Sequence, residues 1–343
     1  MSAPPGPVRH GTPPPFSPPR RRGGSGRFLA AGLLTAIAAV GLLPDLLFRM
    51  DHFSPFAQLI AFRPLLLGAV AVLAALAVLG TLYQPRAWPF AVGLVVVTLL
   101  ASALVLPRAI PDPLRTSGRA LTVLTFNTYE GAADTGALAA LIRSQRPDLV
   151  SLTEAGAGYR DRIAPLVEPL GYQVRASTGH GTADVNGVAA IVSRTLGDVE
   201  MRIGDTSFPY IEVTGGALGR LHFVAFHSVA PTAGAVPHWR SDLALLSRWC
   251  EGTEPAIVAG DLNATLDHSV LRAATSGCGD AAAQRGAGLG STWPTWAPRW
   301  LGPQIDHVLS SDGIAAETFS IHDIPGSDHR AVVTTLRVPE QMS

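Results

Sequence analysis

The run Ala256-Ile257-Val258-Ala259-Gly260-Asp261-Leu262-Asn263 delivers a carboxylate and, two residues on, a carboxamide from the end of an apolar, β-branched segment. Residues two apart in an extended chain leave it on the same side, so Asp261 and Asn263 address one point in space. The pair suits a reaction in which the Asp activates water or binds a cation while the Asn donates hydrogen bonds to a growing anion without adding negative charge. A strand followed by an Asx turn uses the same residue types, so partners elsewhere must decide between the two.

Partners recur at the ends of other apolar runs. Asn127 follows LTVLTF (121–126), Glu154 closes DLVSLTE (148–154), and His227 ends the run from 220. Asp306 stands in Gln304-Ile305-Asp306-His307-Val308-Leu309, and Ser327-Asp328-His329 precedes the last run, 331–338. Any one is an ordinary turn, but the set is hard to assemble from unrelated turns. His307 follows Asp306 and is expected on the opposite face of its strand; His222, five residues before His227, is likewise expected to face away. His180, Asp184 and Asn186 lie in a glycine-rich stretch that reads equally as surface loop or substrate contact. Trp293, Trp296 and Trp300 stand in a proline-containing loop, where packing competes with a substrate wall or a membrane-interface contact.

These termini must be positioned by elements, and the chain supplies two kinds. Of its 343 residues 47% are apolar and only 15% charged, a balance shifted toward a membrane protein that also carries a soluble part. Residues 1–27 are rich in Pro, Gly, Ser and Arg and are expected to be a disordered tail. Three apolar runs follow at 28–48, 64–83 and 88–106, each long enough to cross hydrocarbon as a helix, with Tyr83, Trp88 and Phe90 at their ends. A signal peptide is the weaker reading of the first run, because it is longer than an ordinary h-region and further runs follow. Asp45, beside Pro44 at the end of the first run, is expected to be interfacial.

Three spans put the termini on opposite sides. Arg9, Arg20, Arg21, Arg22, Arg27 and Arg86 lie on one side, six in all, against Arg49, Arg63, Arg108 and Arg115, four in all, on the other. The positive-inside tendency then makes the tail cytoplasmic and everything after Leu106 extracytoplasmic, in a multi-pass protein of the cell membrane.

Residues 107–118 hold three prolines and read as a stiff linker. Beyond it the pattern changes to short strands alternating with helices over 119–338. Strands are expected at 121–126, 148–154, 187–193, 209–214, 220–227, 256–259, 305–309 and 331–338. Helices are expected from Asp134 or Thr135 to Ser144, near 238–249 and at 269–274. Many short strands with interspersed helices predict one layered α/β or α+β domain.

In order and spacing, Asn127, Glu154, His227, the Gly260-Asp261-Leu262-Asn263 signature, Asp306 and the Ser327-Asp328-His329 signature resemble the endonuclease/exonuclease/phosphatase superfamily, the metal-dependent phosphoesterases that include deoxyribonuclease I and neutral sphingomyelinase. The resemblance covers 119–338 and none of the membrane half. It implies a deoxyribonuclease I-like four-layer α/β (α+β) sandwich, two mixed sheets face to face with helices outside. It further implies Glu154 as the principal ligand of Mg²⁺, with Mn²⁺ as a substitute, Asn127 beside it and Asp328 near the metal. His329 would face the scissile phosphate, oriented by Asp306. Asp261 would position or deprotonate the attacking water, Asn263 would hold a phosphate oxygen, and His227 would be a second phosphate-facing histidine.

The chemistry of those residue types agrees. Phosphoester hydrolysis needs charge neutralised on the non-bridging oxygens and an in-line oxygen nucleophile. A hard cation held by carboxylate and amide oxygens meets the first need, and histidines can donate to the phosphate. Cys250 and Cys278 fit no metal-site spacing, and in an extracytoplasmic domain a disulfide between them is expected.

From Arg119 to Val338 the chain carries 16 arginines and 22 acids, a balance of −6. Proteins that grip long DNA usually show a basic face, so this balance disfavours, without excluding, a nucleic-acid substrate. The expected function is a membrane-anchored, Mg²⁺-dependent phosphoesterase acting on a phosphodiester, a lipid headgroup or another small phosphoester, outside the cytoplasm. Two other readings stand beside it: an extracellular DNA endonuclease, and a catalytically silent module that binds a phosphorylated ligand.

Overall fold

A proline at position 44 ends the first apolar helix early. The computed structural model describes residues 1–4, 6 and 25–340, and most of the expected disordered tail lies outside them. Helix α1 (Ser25–Leu42) starts three residues before Phe28 and stops two residues before Pro44, well short of position 48. The residue preceding a proline disfavours helical geometry, and the chain turns instead. A short helix α2 (Phe56–Leu59) leads into α3 (Arg63–Tyr83), which is followed by α4 (Trp88–Val105).

The expectation of three spans is therefore corrected. Two helical stretches, Phe56–Tyr83 and Pro85–Ala109, are long and apolar enough to cross a membrane, whereas the apolar stretch Gly26–Leu42 is shorter. Helix α4 packs between α1 and α3 around Leu42, Leu67, Leu94 and Ala101. Outward residues such as Leu73, Leu76, Leu82 and Leu99 remain exposed. Helices apolar on every side suit an apolar surrounding.

The remainder is a sandwich built from β1 (Arg119–Asn127), α5 (Thr135–Gln145), β2 (Leu149–Thr153), α6 (Ala157–Val167), β3 (Tyr172–Ala176), β4 (Val188–Ser193), β5 (Val199–Gly204) and β6 (Tyr210–Gly215). It continues through β7 (His222–Ala225), α7 (Val236–Ala244), α8 (Ser247–Cys250), β8 (Ala256–Asp261), α9 (Ser269–Ala274), β9 (Cys278–Asp280), α10 (Ala281–Gln284), β10 (Asp306–Ser311), β11 (Ala315–Asp323) and β12 (Arg330–Val338). One six-stranded sheet has the order β11-β12-β1-β2-β4-β3, the other β5-β6-β7-β8-β10-β9. Both are mixed: β1 runs parallel to β2, and β7 parallel to β8, while the other pairings are antiparallel.

The inner faces meet in one core that includes Val123, Val192, Phe223, Ile257 and Leu336. Helices α5 and α6 cover the first sheet through Leu138, Ile142, Tyr159 and Ile163. Helices α7 to α9 cover the second through Trp239, Leu243, Trp249 and Leu271. These are the four layers expected. Strand β8 is buried along its whole length, which is why its sequence reads as an unbroken apolar run rather than an alternation.

The apolar helical half is not a separate body. Ala57 is fully buried in the core beneath α7 and α9, and its carbonyl accepts from the His268 ring at 2.8 Å. Asp45, expected at an interface, is instead buried between Arg63 and Arg272. Arg63 also reaches Asp267 at 3.0 Å, and Arg108 reaches the same carboxylate oxygen at 2.8 Å. The Asp51 carboxylate accepts from the backbone N–H of Ser269, the first residue of α9, at 2.7 Å. The expected linker packs on the sandwich as far as Asp112, whose N–H donates to Gln284 O at 2.9 Å. Cys250 and Cys278 form the expected disulfide, with Cα atoms 5.2 Å apart.

Candidate active site

At one end of the sandwich the central strands of both sheets stop together. Antiparallel pairing of β8 with β10 sets Asp261 directly opposite Asp306. Parallel pairing of β1 with β2 sets Asn127 opposite Thr153, so that Glu154 follows at the same level. Gly260 allows the approach of β8 to the neighbouring backbone, since a Cβ there would lie 1.7 Å from Phe226 O. Glu154 and Asn263 both adopt left-handed backbone geometry, at φ 55° and 46°, as the chain turns at the strand ends.

Asn127 joins the two sheets. Its Nδ2 donates to Glu154 Oε1 and to Asp261 Oδ2, both at 3.0 Å, while its Oδ1 accepts from the Tyr129 N–H at 2.8 Å. The other Glu154 oxygen accepts from the Glu130 N–H at 2.6 Å. Asp261 Oδ1 accepts from the Asn263 N–H at 2.8 Å. The Asn263 carboxamide donates to Ser228 O at 3.0 Å.

His329 lies between two of these carboxylates. Its Nδ1 is 2.9 Å from Asp306 Oδ2, and its Nε2 is 3.8 Å from Asp261 Oδ2 and 4.0 Å from Asp328 Oδ1. Burial alone would lower its proton affinity, but Asp306 and Asp261 outweigh burial and raise the pKa to about 10. Asp261 moves the other way from an ordinary carboxylate: burial chiefly, opposed by His329 and reinforced by Asp306, pushes it up to about 7. His227 stands 3.8 Å from Asp261 Oδ2 and stacks on Phe208 with ring centroids 4.5 Å apart. Burial, with the nearby His329, brings its pKa down to about 3, so it is a neutral imidazole at neutral pH.

Asp328 accepts from the Trp293 indole N–H at 2.9 Å through Oδ2. Its Oδ1, and Oδ1 of Asp306, are buried without a hydrogen-bond partner. Ser327 Oγ donates to Asn127 O at 2.8 Å and accepts from the His329 N–H at 3.0 Å, tying that signature to the end of β1. The eight residues Asn127, Glu154, His227, Asp261, Asn263, Asp306, Asp328 and His329 thus meet in one cluster. Within it Asp261, Asp306 and His329 offer ligand atoms within 4.8 Å of one another, a grouping that could hold a metal ion.

The remaining histidines fall elsewhere. His307 bonds Asp280 at 2.8 Å on the far face of β10, and His222 bonds Glu212 at 2.8 Å, both as expected. His180 is an exposed loop residue beside Asp161. Asp184 accepts from the N–H groups of Gly156 and Tyr159, both at 3.1 Å, so it braces the turn after Glu154. Phe208 carries no signal in the sequence, because it reaches His227 from the loop between β5 and β6, far from any run that marks the site. Trp293, for which packing competes with a substrate wall, both packs and hydrogen-bonds the site.

Residues 124–329 match the profile described as the Endonuclease/Exonuclease/phosphatase family. No curated protein sequence matches the chain. Solved structures share the fold: a humanized TDP2 of D. rerio carrying 14 mutations has TM-score 0.52 at 16% identity, covering 64% of this chain and 99% of that one. AP endonuclease LMAP from Leishmania major has TM-score 0.51 at 16% identity, covering 68% of this chain and 95% of that one.

Proposed function

Because the chain belongs to the endonuclease/exonuclease/phosphatase family, we propose that it is a Mg²⁺-dependent phosphoesterase, held in a membrane by its apolar helices and hydrolysing a lipid headgroup or other small phosphodiester outside the cytoplasm. The convergence of Asp261, Asp306 and His329 with Asn127 and Glu154 carries this reading.

The residues suit a hard cation. Three carboxylates, those of Asp261, Asp306 and Asp328, gather around one charged imidazole, a fourth, Glu154, shares the Asn127 amide with Asp261, and two buried carboxylate oxygens have no donor. Glu154 and Asp328 would hold Mg²⁺, or Mn²⁺ in its place, with Asn127 beside them, its amide turned if its oxygen is to ligate. When bound, the ion would neutralise charge on the non-bridging phosphate oxygens. The Asp261–Asp306–His329 grouping is the poorer cage, because Asp306 already holds a protonated His329.

Asp261, with proton affinity near neutrality, accepts a proton from water. His329, charged and fixed by Asp306, donates to the phosphate. His227 is neutral and offers a hydrogen bond toward the leaving group rather than a charge. Asn263 holds a phosphate oxygen once its amide leaves Ser228 O.

One observation supports the location. The disulfide suits an oxidising compartment.

Full-length protein in detergent, given a generic phosphodiester, plasmid DNA and phospholipid vesicles, tests the reading. Turnover is expected with Mg²⁺, lost in chelator, and reduced about 10²- to 10⁴-fold by Asp261→Ala. Turnover that survives both treatments would overturn the mechanism, and preference for DNA would replace the substrate.

A further inference from the structure

The catalytic cluster is open on one side to an apolar groove whose wall comes from the membrane half. The groove has a volume of about 410 Å³ and runs from His329 and Asn263 to Ala61 and Phe62, with Trp293 and Ile305 along its length. Ala61 and Phe62 immediately precede Arg63, the first residue of the long apolar helix α3. That wall is fixed in place. Gln58 donates to Pro231 O across the groove, the Ala57 carbonyl accepts from His268, and Arg63 is clamped by Asp45 and Asp267.

A groove for a small hydrophilic phosphoester has no use for an apolar wall beside its phosphate end. Here the polar end holds the reacting groups and the other end reaches the base of a helix suited to hydrocarbon. Trp296 and Trp300, on the loop that carries Trp293 and Pro303, are 82% and 70% exposed, and Phe53 is 61% exposed near α2. Exposed aromatic rings of this kind belong at a bilayer interface.

We propose that this groove takes an alkyl chain of the substrate, so that the enzyme acts on a membrane lipid phosphoester whose chain lies between the Ala57–Phe62 segment and the Ala230–Thr232 loop while its phosphate meets His329 and Asn263. This rests on the phosphoesterase reading of the same site and adds the substrate's apolar part and the segment that selects it.

Two measurements on the full-length protein in detergent test it separately from catalysis. The first is photocrosslinking with a non-hydrolysable alkyl phosphonate bearing a diazirine at its chain end. Adducts are expected on peptides containing residues 57–62 and 230–232, competed by an unlabelled long-chain phosphonate. The second compares phosphodiesters of increasing chain length. KM is expected to fall by up to roughly fourfold per added methylene until the groove is full, and Ala61→Trp is expected to lower the long-chain to short-chain ratio of kcat/KM at least tenfold. Adducts without turnover leave the groove standing and sink the catalytic reading. Turnover with no chain-length dependence and no adducts on either peptide overturns the groove.

Discussion

His329 carries the electrostatics of the site. Its pKa is about 10 in the fold, against 6.5 for the free side chain, so the folded state binds this proton more tightly than the unfolded chain. The stabilisation is complete below pH 6.5 and is lost as pH rises through 10. In chelator, the thermal midpoint of the wild type minus that of His329→Gln should be largest near pH 6 and shrink toward pH 10. A difference that does not vary with pH would rule out a charged His329. The residue types and order of this cluster were legible because Asn127, Glu154, Asp261, Asp306 and His329 each sit at the end of an apolar run that declares itself. Their hydrogen bonding was not legible. That the Asn127 nitrogen faces Glu154 and Asp261, or that His227 is neutral against Phe208, depends on distances that spacing along the chain does not encode.

Among elements, β8 does most to place the chemistry, because it pairs in parallel with β7 and antiparallel with β10 and ends at Asp261. Gly260 is the point of closest approach, and a methyl group there would meet Phe226 O, a backbone atom that cannot swing aside. Gly260→Ala should therefore destabilise by about 1–3 kcal/mol or more and move Asp261 relative to Asp306, read as a lower thermal midpoint together with lower kcat. A variant of unchanged midpoint would show that the two strands are more loosely coupled than their register indicates. The central strands and α5, capped by the Asp134 side chain on the Ala137 N–H at 2.7 Å, were visible in the sequence. Strands β3, β5, β9 and β11, and helix α6, were not. Strands β3, β5, β9 and β11 are the edges of the two sheets, where one side has no neighbour and polar residues interrupt the apolar pattern. Helix α6 carries Pro165 inside it and a weak apolar stripe, which reads as loop.

At the scale of the molecule, the division into an anchor and an enzyme that composition suggests does not describe the packing. Asp45, Arg63, Arg108, Asp267 and Arg272 form one ion cluster across the boundary, and Ala57 completes the core beneath Trp239. Leaving a buried charge unpaired costs about 3–5 kcal/mol. In Arg63→Met each carboxylate keeps a second arginine, so the expected cost is the lower figure, about 3 kcal/mol, read as a fall in thermal midpoint in detergent. A midpoint within experimental error of the wild type would mean the cluster contributes nothing to docking. Residues 116–343 alone would lose Arg63 and Arg108 together and expose the face that Ala57 covers. The composition shift near residue 107 marked the change from apolar helices to mixed strands and helices, and nothing in local sequence could signal that residues 45 and 272 are partners. The shared core also orders the protein's birth. The segment ending at Phe62 leaves the ribosome about two hundred residues before Asp267 and His268, so the later-made sandwich is moulded onto a wall already synthesised, and grafting it to a foreign N-terminal segment would leave that mould empty.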